Sequence, residues 1–449
     1  MNIESSIATG IPHEDVPSAI SRRAARAAWL GFFVDMFDIY LPIIALAPAI
    51  QYFEPPKETL SKQLAMIIFS LIYASTLLGR PVGSLIFGWL SDRIGRRPST
   101  LIAVIGFGTI TLLIACMPGY ATMGIASLFT LIFLRFVAGI FLAGEYTGAM
   151  PLAMEYSPRD RRAIVSGLIM TSFPVAYIAI SASTYVLLQI IPSGGLNSPY
   201  TQWGWRLTFF AGALIAYAFA FFWYRRVPES ESWSRVRKTE NPLLALTKKG
   251  NRSAFIQVFI LVSGLWFLIY MLAAVIPGTL LSVVHLTHTQ VTFTMMIAFM
   301  IIAIFYVLAS ILAHAIGRRP FYILCGFLAA IGGTGFYLGL ISIHANDIVS
   351  AILLTAGFGI CVAVGWSIMP AYINERFHTS IRASGFGVAY SVSVIIPSFF
   401  AFYQVALSQI MPASLTAIPL TILGGVLLGV GAYLGPETKN VDLSHMTGV

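Results

Sequence analysis

The chain has 449 residues, of which 57% are hydrophobic and only 10% charged, and its mean hydropathy is +0.83; an ordinary soluble domain carries about 25% charged residues. This excludes a water-soluble globular enzyme and points to an all-α membrane protein, because the apolar runs are about 20 residues long or more, which suits helices crossing roughly 30 Å of hydrocarbon and not barrel strands. The net charge of +9 has no soluble basic face to gather on, which excludes a nucleic-acid partner and leaves membrane topology as its origin.

A polar tail over 1–27, with Glu4, Glu14 and Asp15 and no cleavable leader, runs into a first span near 28–50. Further spans are predicted near 63–87, 99–117, 122–154, 163–191 and 203–225, completing an N-terminal six-helix bundle over 28–225. The polar stretch RVPESESWSRVRKTENPLLALTKKGNR, 226–252, reads as a central linker. Spans near 255–281, 291–313, 321–343, 349–373, 384–410 and 413–434 form a C-terminal bundle over 253–435, and 436–449 is a tail. Prolines 42, 48, 174, 277, 370 and 397 are expected to kink their spans.

Lys and Arg gather in the N-terminal tail (Arg22, Arg23, Arg26) and in alternate connections: Arg93, Arg96 and Arg97; Arg159, Arg161 and Arg162; the linker; Arg318 and Arg319; Arg376 and Arg382. The opposite connections hold little beyond Lys57, Lys62 and Arg206. Because basic residues stay on the cytoplasmic side, both termini, the linker and the tail are expected there, in a multi-pass protein of the inner or plasma membrane. Cys116, Cys325 and Cys361 fall within predicted spans and imply neither a disulfide nor a metal cluster. His285 and His288 form an HxxH without a third ligand, and the absence of a P-loop pattern argues against ATP-driven transport.

The two halves echo each other. GWLSDRIGRRP at 88–98 aligns with SILAHAIGRRP at 310–320, bringing Gly95 onto Gly317 and Arg97 onto Arg319; Glu155 to Arg162 parallels Glu375 to Arg382; PES at 228–230 parallels PETK at 436–439. Parallel repeats of this kind build a transporter whose site lies between its halves. The repeated residues are expected to form a gate at the cytoplasmic end. Gly88 and Gly95 allow close approach and turning, Asp92 satisfies exposed helix N–H groups, and Arg93, Arg96 and Arg97 bridge to Glu155 or Glu375 when that end is closed. Arg162, Gly317, Arg318, Arg319 and Arg382 belong to the same set, and His314 in place of Asp92 predicts an asymmetric gate.

Asp35, Asp38, Arg80, Arg135 and Glu145 are the clear intramembrane charges, all in the first half. An aspartate within an apolar span costs at least about 2.5 kcal/mol, so each needs either a fixed partner or a function. Three acids against two bases leave one carboxylate unpartnered, which suits a proton carrier moving between dry and charge-compensated environments. Arg80 has two readings: a bidentate anchor for a substrate carboxylate, or a fixed partner of Asp35 or Glu145. Tyr73, Tyr177, Trp266, Tyr270, Trp366 and Tyr390 are candidates to line the substrate cavity, with packing or lipid contact as the alternative.

GWLSDRIGRRP resembles the loop 2–3 signature of the major facilitator superfamily, and the resemblance covers Arg22 to Asp442. Within it the chain is similar to the metabolite:proton symporter family, adjoining the sugar porters. GFFVDMFD matches that family's first-span pattern with Asp35 for glutamate and Met36 for an aromatic; RPVG at 80–83 and RFVAGIFLAGEYTGA at 135–149 match the second and fourth spans, with Ala138 for the usual glutamine. EYSPRDRRA, WGWRLTF and NERFHTSIRASG also match, with Thr208 and His378 where prolines are common, and PETK ends the last span in the sugar-porter manner.

The resemblance implies the major facilitator fold, 12 transmembrane helices in two pseudo-symmetric six-helix bundles. It also implies that Asp38 and Arg135 form the coupled proton pair; from the buried charges themselves, Asp35 and Glu145 are the reserve candidates. The expected function is proton-coupled uptake of a small carboxylate by a monomer working through alternating access, with the proton as coupling ion and no other cofactor. The alternatives are uptake of a zwitterionic osmolyte or a sugar, or a facilitative or sensor relative without proton coupling. A tail of about a dozen residues leaves no room for the coiled coil of the osmosensing branch, which favours a mono- or dicarboxylate over a betaine.

Overall fold

The computed structural model describes residues 18–56, 61–94, 96–223, 249–377, 382–441 and 443. Among them are helices and turns but no strand, and twelve helices are long and apolar enough to cross a membrane. They are α1 (Ser21–Tyr52), α2 (Ser70–Leu90), α3 (Pro98–Cys116), α4 (Ala126–Glu155), α5 (Arg162–Ile190), α6 (Tyr200–Phe222), α7 (Asn251–Ser282), α8 (His288–Ile316), α9 (Arg318–Ser342), α10 (Ile348–Arg376), α11 (Ser384–Leu407) and α12 (Ala413–Leu434).

The predicted spans differ from these mainly at their ends. The first helix already begins at Ser18, inside the expected tail, and the helix of α7 begins at Lys249, inside the expected linker. The expected fourth span starts too early: Tyr120–Met123 is a separate turn, ended by Gly124 at φ +58°, a left-handed conformation that stops a helix. Most of the linker, 224–248, lies outside the described residues.

Proline accompanies most of the internal breaks, whereas α9 widens over Leu328–Gly333 without one. Lacking an N–H and clashing with the preceding turn, proline forces the winding to change locally. α1 widens over Pro42–Leu46 and tightens over Ala47–Tyr52, and α7 widens over Met271–Val275 just before Pro277. α10 tightens over Val364–Ile368 ahead of Pro370, α11 is interrupted around Pro397, and α5 is interrupted at Thr171, close to Pro174. α1 and α7, equivalent spans of the two halves, are both irregular in their second part.

Small residues let the helices approach, since lipid supplies no hydrophobic force to drive them together. α2 and α4 meet where a Cβ on Gly79, Gly83 or Gly139 would overlap backbone atoms of the partner helix. Gly139→Ala, whose methyl would strike the carbonyl of Thr76, is expected to cost about 1–3 kcal/mol and to lower the detergent melting temperature; an unchanged melt would contradict this packing. In the second half α12 approaches α7 and α9 at Gly264, Gly326 and Gly425. The halves join through α2 on α11 and α5 on α8, the latter so closely that a side chain on Gly167 would collide with Ser310. Large apolar side chains such as Phe129, Leu214, Ile304 and Leu353 stay exposed on the outside, where a bilayer covers them.

Helix ends away from the centre are satisfied locally. Thr287 and Gln290 form a reciprocal cap at the start of α8, Asp347 accepts the Ser350 N–H at the start of α10, and Arg206 donates to the carbonyls of Ala115 and Met117 at the end of α3. Gly317 alone joins α8 to α9 at φ +100°, and a side chain there would also crowd the carboxylate of Glu437.

Candidate functional site between the bundles

On α1, Gly31, Asp35 and Asp38 recur at spacings of four and three residues and so share one stripe of the helix. Asp35 is wholly buried, and Arg80 Nη2 donates to both of its carboxylate oxygens, at 2.7 and 2.6 Å. The same guanidinium sits 5.0 and 5.7 Å from the ring centres of Tyr146 and Tyr390, and its Nη1 donates to the Tyr390 hydroxyl at 3.2 Å. Tyr390 lies on α11, so Arg80 is the one of the five buried charges whose hydrogen bonds reach the second bundle. Tyr146 adds a second crossing through its hydroxyl contact with Ser391.

Asp38 is held entirely within the first bundle. Arg135 Nη1 donates to its Oδ2 at 3.0 Å, Arg135 Nη2 donates to the Asp38 carbonyl at 3.0 Å, and the Thr111 hydroxyl donates to Oδ1. Glu145 has neither a hydrogen bond nor an ion pair among the described residues. It is 2% exposed, its Oε2 meets no donor, and its Oε1 lies where a side chain on Gly31 would have to go. The surplus acid that the charge count requires is therefore Glu145, while Asp35 and Asp38 each hold an arginine.

The six aromatic candidates are all buried, and the structure joins them into one run of rings along the seam. Tyr177 packs on Tyr40 at 5.3 Å, Tyr40 on Tyr73 at 5.9 Å, Tyr73 on Tyr270 at 5.3 Å, and Tyr270 on Trp266 at 6.1 Å. Trp266 then meets Trp366 at 4.9 Å and Tyr390 at 5.4 Å, and Tyr390 meets Tyr146 at 4.9 Å. Tyr177 also stacks on Phe299 of α8 at 3.8 Å. Sequence reasoning missed Tyr40, Thr111, Tyr146 and Phe299. Tyr146, beside Glu145 in GEYTGA, carried the clearest signal, and Phe299 in an unbroken apolar run carried none.

At the arginine-rich end the bundles are tied by charge. Glu375 Oε1 accepts from Arg162 and Arg318, both at 3.2 Å, and Oε2 accepts from Thr438 at 2.6 Å; Arg382 donates to Glu155 at 2.9 Å. The Ser166 hydroxyl donates to the Ser367 carbonyl and accepts the Ala371 N–H. The segment after α12 lies across both bundles: Glu437 accepts the backbone N–H groups of Arg318 and Arg319, Arg162 donates to the Val441 carbonyl, Arg382 to that of Leu443 and Arg159 to that of Asn440. Burial draws the Arg382 guanidinium below its ordinary pKa, and the neighbouring Glu155 opposes the shift.

Two expectations for the gate change. Among the described residues, the partners of Glu155 and Glu375 are Arg382, Arg162 and Arg318, where α4, α5, α9, α10 and the start of α11 converge. Gly95 and the side chains of Asp92, Arg93, Arg96 and Arg97 lie outside the described residues. Gly88 neither turns nor admits a close neighbour: its helix continues to Ile94, and nothing lies within 4 Å of a Cβ built on it. Arg319 does not bridge the halves, since its side chain donates to the Tyr433 carbonyl and covers the Tyr433 ring, both in the second bundle. Glu375→Gln strands two buried guanidinium groups, and removing one partner of such a set costs about 3–5 kcal/mol. It is expected to lower the melting temperature and to expose a cysteine placed at Ser166 to thiol reagents; an unlabelled Ser166→Cys site in the Glu375→Gln background would contradict this role.

The profile of the Major Facilitator Superfamily matches residues 28–402. The chain belongs to that superfamily. This transporter is 26% identical over 451 residues to the inner membrane metabolite transport protein YhjE of Escherichia coli K12, covering 97% of this chain and 99% of that one. It is 27% identical to the alpha-ketoglutarate permease of the same organism, covering 81% and 82%, and 27% identical to a proline/betaine transporter of Salmonella typhimurium, covering 95% and 85%. The solved proton:xylose symporter XylE bound to 6-bromo-6-deoxy-D-glucose superposes with a TM-score of 0.72 at 20% identity, over 95% of this chain and 98% of that one. That likeness carries the fold alone: twelve helices in two six-helix bundles.

Proposed function

We propose that this transporter takes up a small organic acid together with a proton, by rocking its two bundles about the central seam. The observation that supports it is Arg80, which holds Asp35 through both oxygens and also touches Tyr390 of the other bundle. A substrate carboxylate that takes the Nη2 side of this guanidinium displaces Asp35, and a displaced aspartate in a dry seam takes up a proton more readily than it stays charged. Proton and carboxylate thus favour each other's binding, and Tyr390 links the exchange to the position of the second bundle. Asp38, with Arg135 and Thr111, is the proton site that the sugar-porter resemblance implies, one turn further along the same helix. No cofactor enters beyond the proton.

Relatives named for alpha-ketoglutarate and for cis,cis-muconate support an acid substrate, and the proton:xylose symporter supports coupling to protons. A second reading, uptake of a betaine, is favoured by Trp266, Trp366 and Tyr390 gathered beside Arg80, because aromatic faces attract a quaternary ammonium while the arginine takes the carboxylate. The test is external pH in lightly buffered, energy-depleted cells during pulses of alpha-ketoglutarate, cis,cis-muconate, proline, betaine and xylose. Alkalinisation by the acids is expected; alkalinisation by betaine alone selects the second reading. No pH change for any compound that labelled uptake shows entering overturns symport and leaves a facilitative carrier.

A further inference from the structure

Glu145 is the buried charge that this mechanism leaves without a task. A carboxylate kept for structure would hold a base or several N–H donors; among the described residues this one has neither, although Arg80 and Arg135 stand in the same bundle. The titratable or charged groups that face it are Asp35 on α1, Arg80 on α2 and its neighbour Tyr146 on α4. Gly31 of α1 lies against its Oε1, and Phe219 of α6 stands beside that glycine; neither is titratable. Gly31 lies one turn before Asp35, so Glu145 stands about 6 Å nearer the arginine-rich end than Asp35, and Asp38 about 4.5 Å beyond Asp35 in the other direction. Three acids therefore stand at successive levels along one stripe of α1, two on it and Glu145 reaching it from α4, and Gly31, having no side chain, is what leaves room for the lowest.

We propose that Glu145 is a proton relay between Asp35 and the aqueous space at the arginine-rich end. This rests on the proton-coupled reading above. Dry and without a base, Glu145 holds a proton while the arginine-rich end is closed. When that end opens, the Glu145 O–H bond breaks and its proton passes to water; as the substrate leaves and Arg80 reclaims the Asp35 carboxylate, the Asp35 O–H bond breaks and that proton bonds to the Glu145 carboxylate, which restores the acid that began the cycle, so the step needs no other reactant. Glu145 is thus a proton-handling residue of the transport cycle and does not touch the substrate.

Two readouts on full-length protein in proteoliposomes test this. In infrared spectra recorded during a pH titration without substrate, wild type is expected to show a protonated-carboxyl band that is absent from Glu145→Gln. In transport of labelled alpha-ketoglutarate and labelled betaine, Glu145→Gln is expected to lose about 10-fold or more of the pH-driven accumulation, while counterflow exchange without a gradient stays within about 2-fold of wild type. Glu145→Asp, which keeps the acid, is expected to restore accumulation with a displaced pH profile. A Glu145→Gln protein that accumulates like a coupled wild type overturns the relay alone, as does loss of counterflow together with accumulation, or an unchanged carboxyl band. A wild type without pH-driven accumulation of a probe it exchanges overturns the coupling reading itself, and the relay with it.

Discussion

Arg80→Gln is expected to abolish uptake while leaving a folded protein. Removing the guanidinium strands Asp35 in a site with no solvent, at a cost of about 3–5 kcal/mol if the acid stayed ionised. The aspartate avoids this by binding a proton permanently, which preserves the fold and removes the exchange on which coupling depends. The substrate carboxylate loses its anchor as well. Truncating one partner of a buried charge pair costs about 2–5 kcal/mol, and at 1.4 kcal/mol per tenfold this is on the order of 100-fold in affinity.

Arg80→Lys is expected to recover little, because a single ammonium cannot hold both Asp35 oxygens and the Tyr390 hydroxyl in one plane. Initial-rate uptake beside a detergent melt checks both variants. Uptake within a few-fold of wild type in Arg80→Gln would mean that Arg80 and Asp35 are a fixed pair holding α1 to α2.

The second large effect is expected for Asp38→Asn: loss of concentrative uptake with survival of exchange. The substitution removes the charge opposite Arg135 yet keeps Arg135 partly satisfied, since the carbonyls of Asp38 and Ile39 still accept from its Nη2. The protein is therefore expected to fold. Uptake should fall from accumulation to equilibration, a drop of about 10-fold or more in the steady-state ratio, and lose its dependence on external pH. Asp35→Asn should behave differently. It removes the group that competes with substrate for Arg80, so binding should tighten most at alkaline pH, where wild-type Asp35 holds its arginine most firmly. Identical behaviour of the two variants would contradict the division of roles between the two pairs.

The twelve spans, the two halves and the five buried charges were legible because each is a local property. A run of apolar residues is long enough to cross a bilayer whatever it packs against, and a charge within it is costly wherever its neighbours stand. Neutrality arithmetic also showed that one acid had to be left over. It did not show which, because pairing depends on which helices face each other: α2 and α4 meet at Gly79, Gly83 and Gly139, and that approach, with the position of α1, delivers Arg80 to Asp35, Arg135 to Asp38 and nothing to Glu145.

Glycine accounts for much of what was missed. Gly31 sits beside Glu145, and its one contribution is the space that its absent side chain leaves. At the gate the repeated motifs placed Glu155, Arg162, Glu375 and Arg382 at one end, whereas their partners come from convergence across the two bundles, between residues about two hundred apart in the chain.

The sequence by itself determined that this is a twelve-span transporter with an acid-rich first half, because hydropathy, charge and internal repetition are written along one dimension. Only the tertiary structure decided that Arg80 is shared between Asp35 and Tyr390, that the aromatic side chains form one run across the seam, and that Glu145 is the acid left without a base. Those are facts of helix–helix contact, and contact between distant segments is set by the packing of small residues and by the two bundles meeting, which no single span encodes.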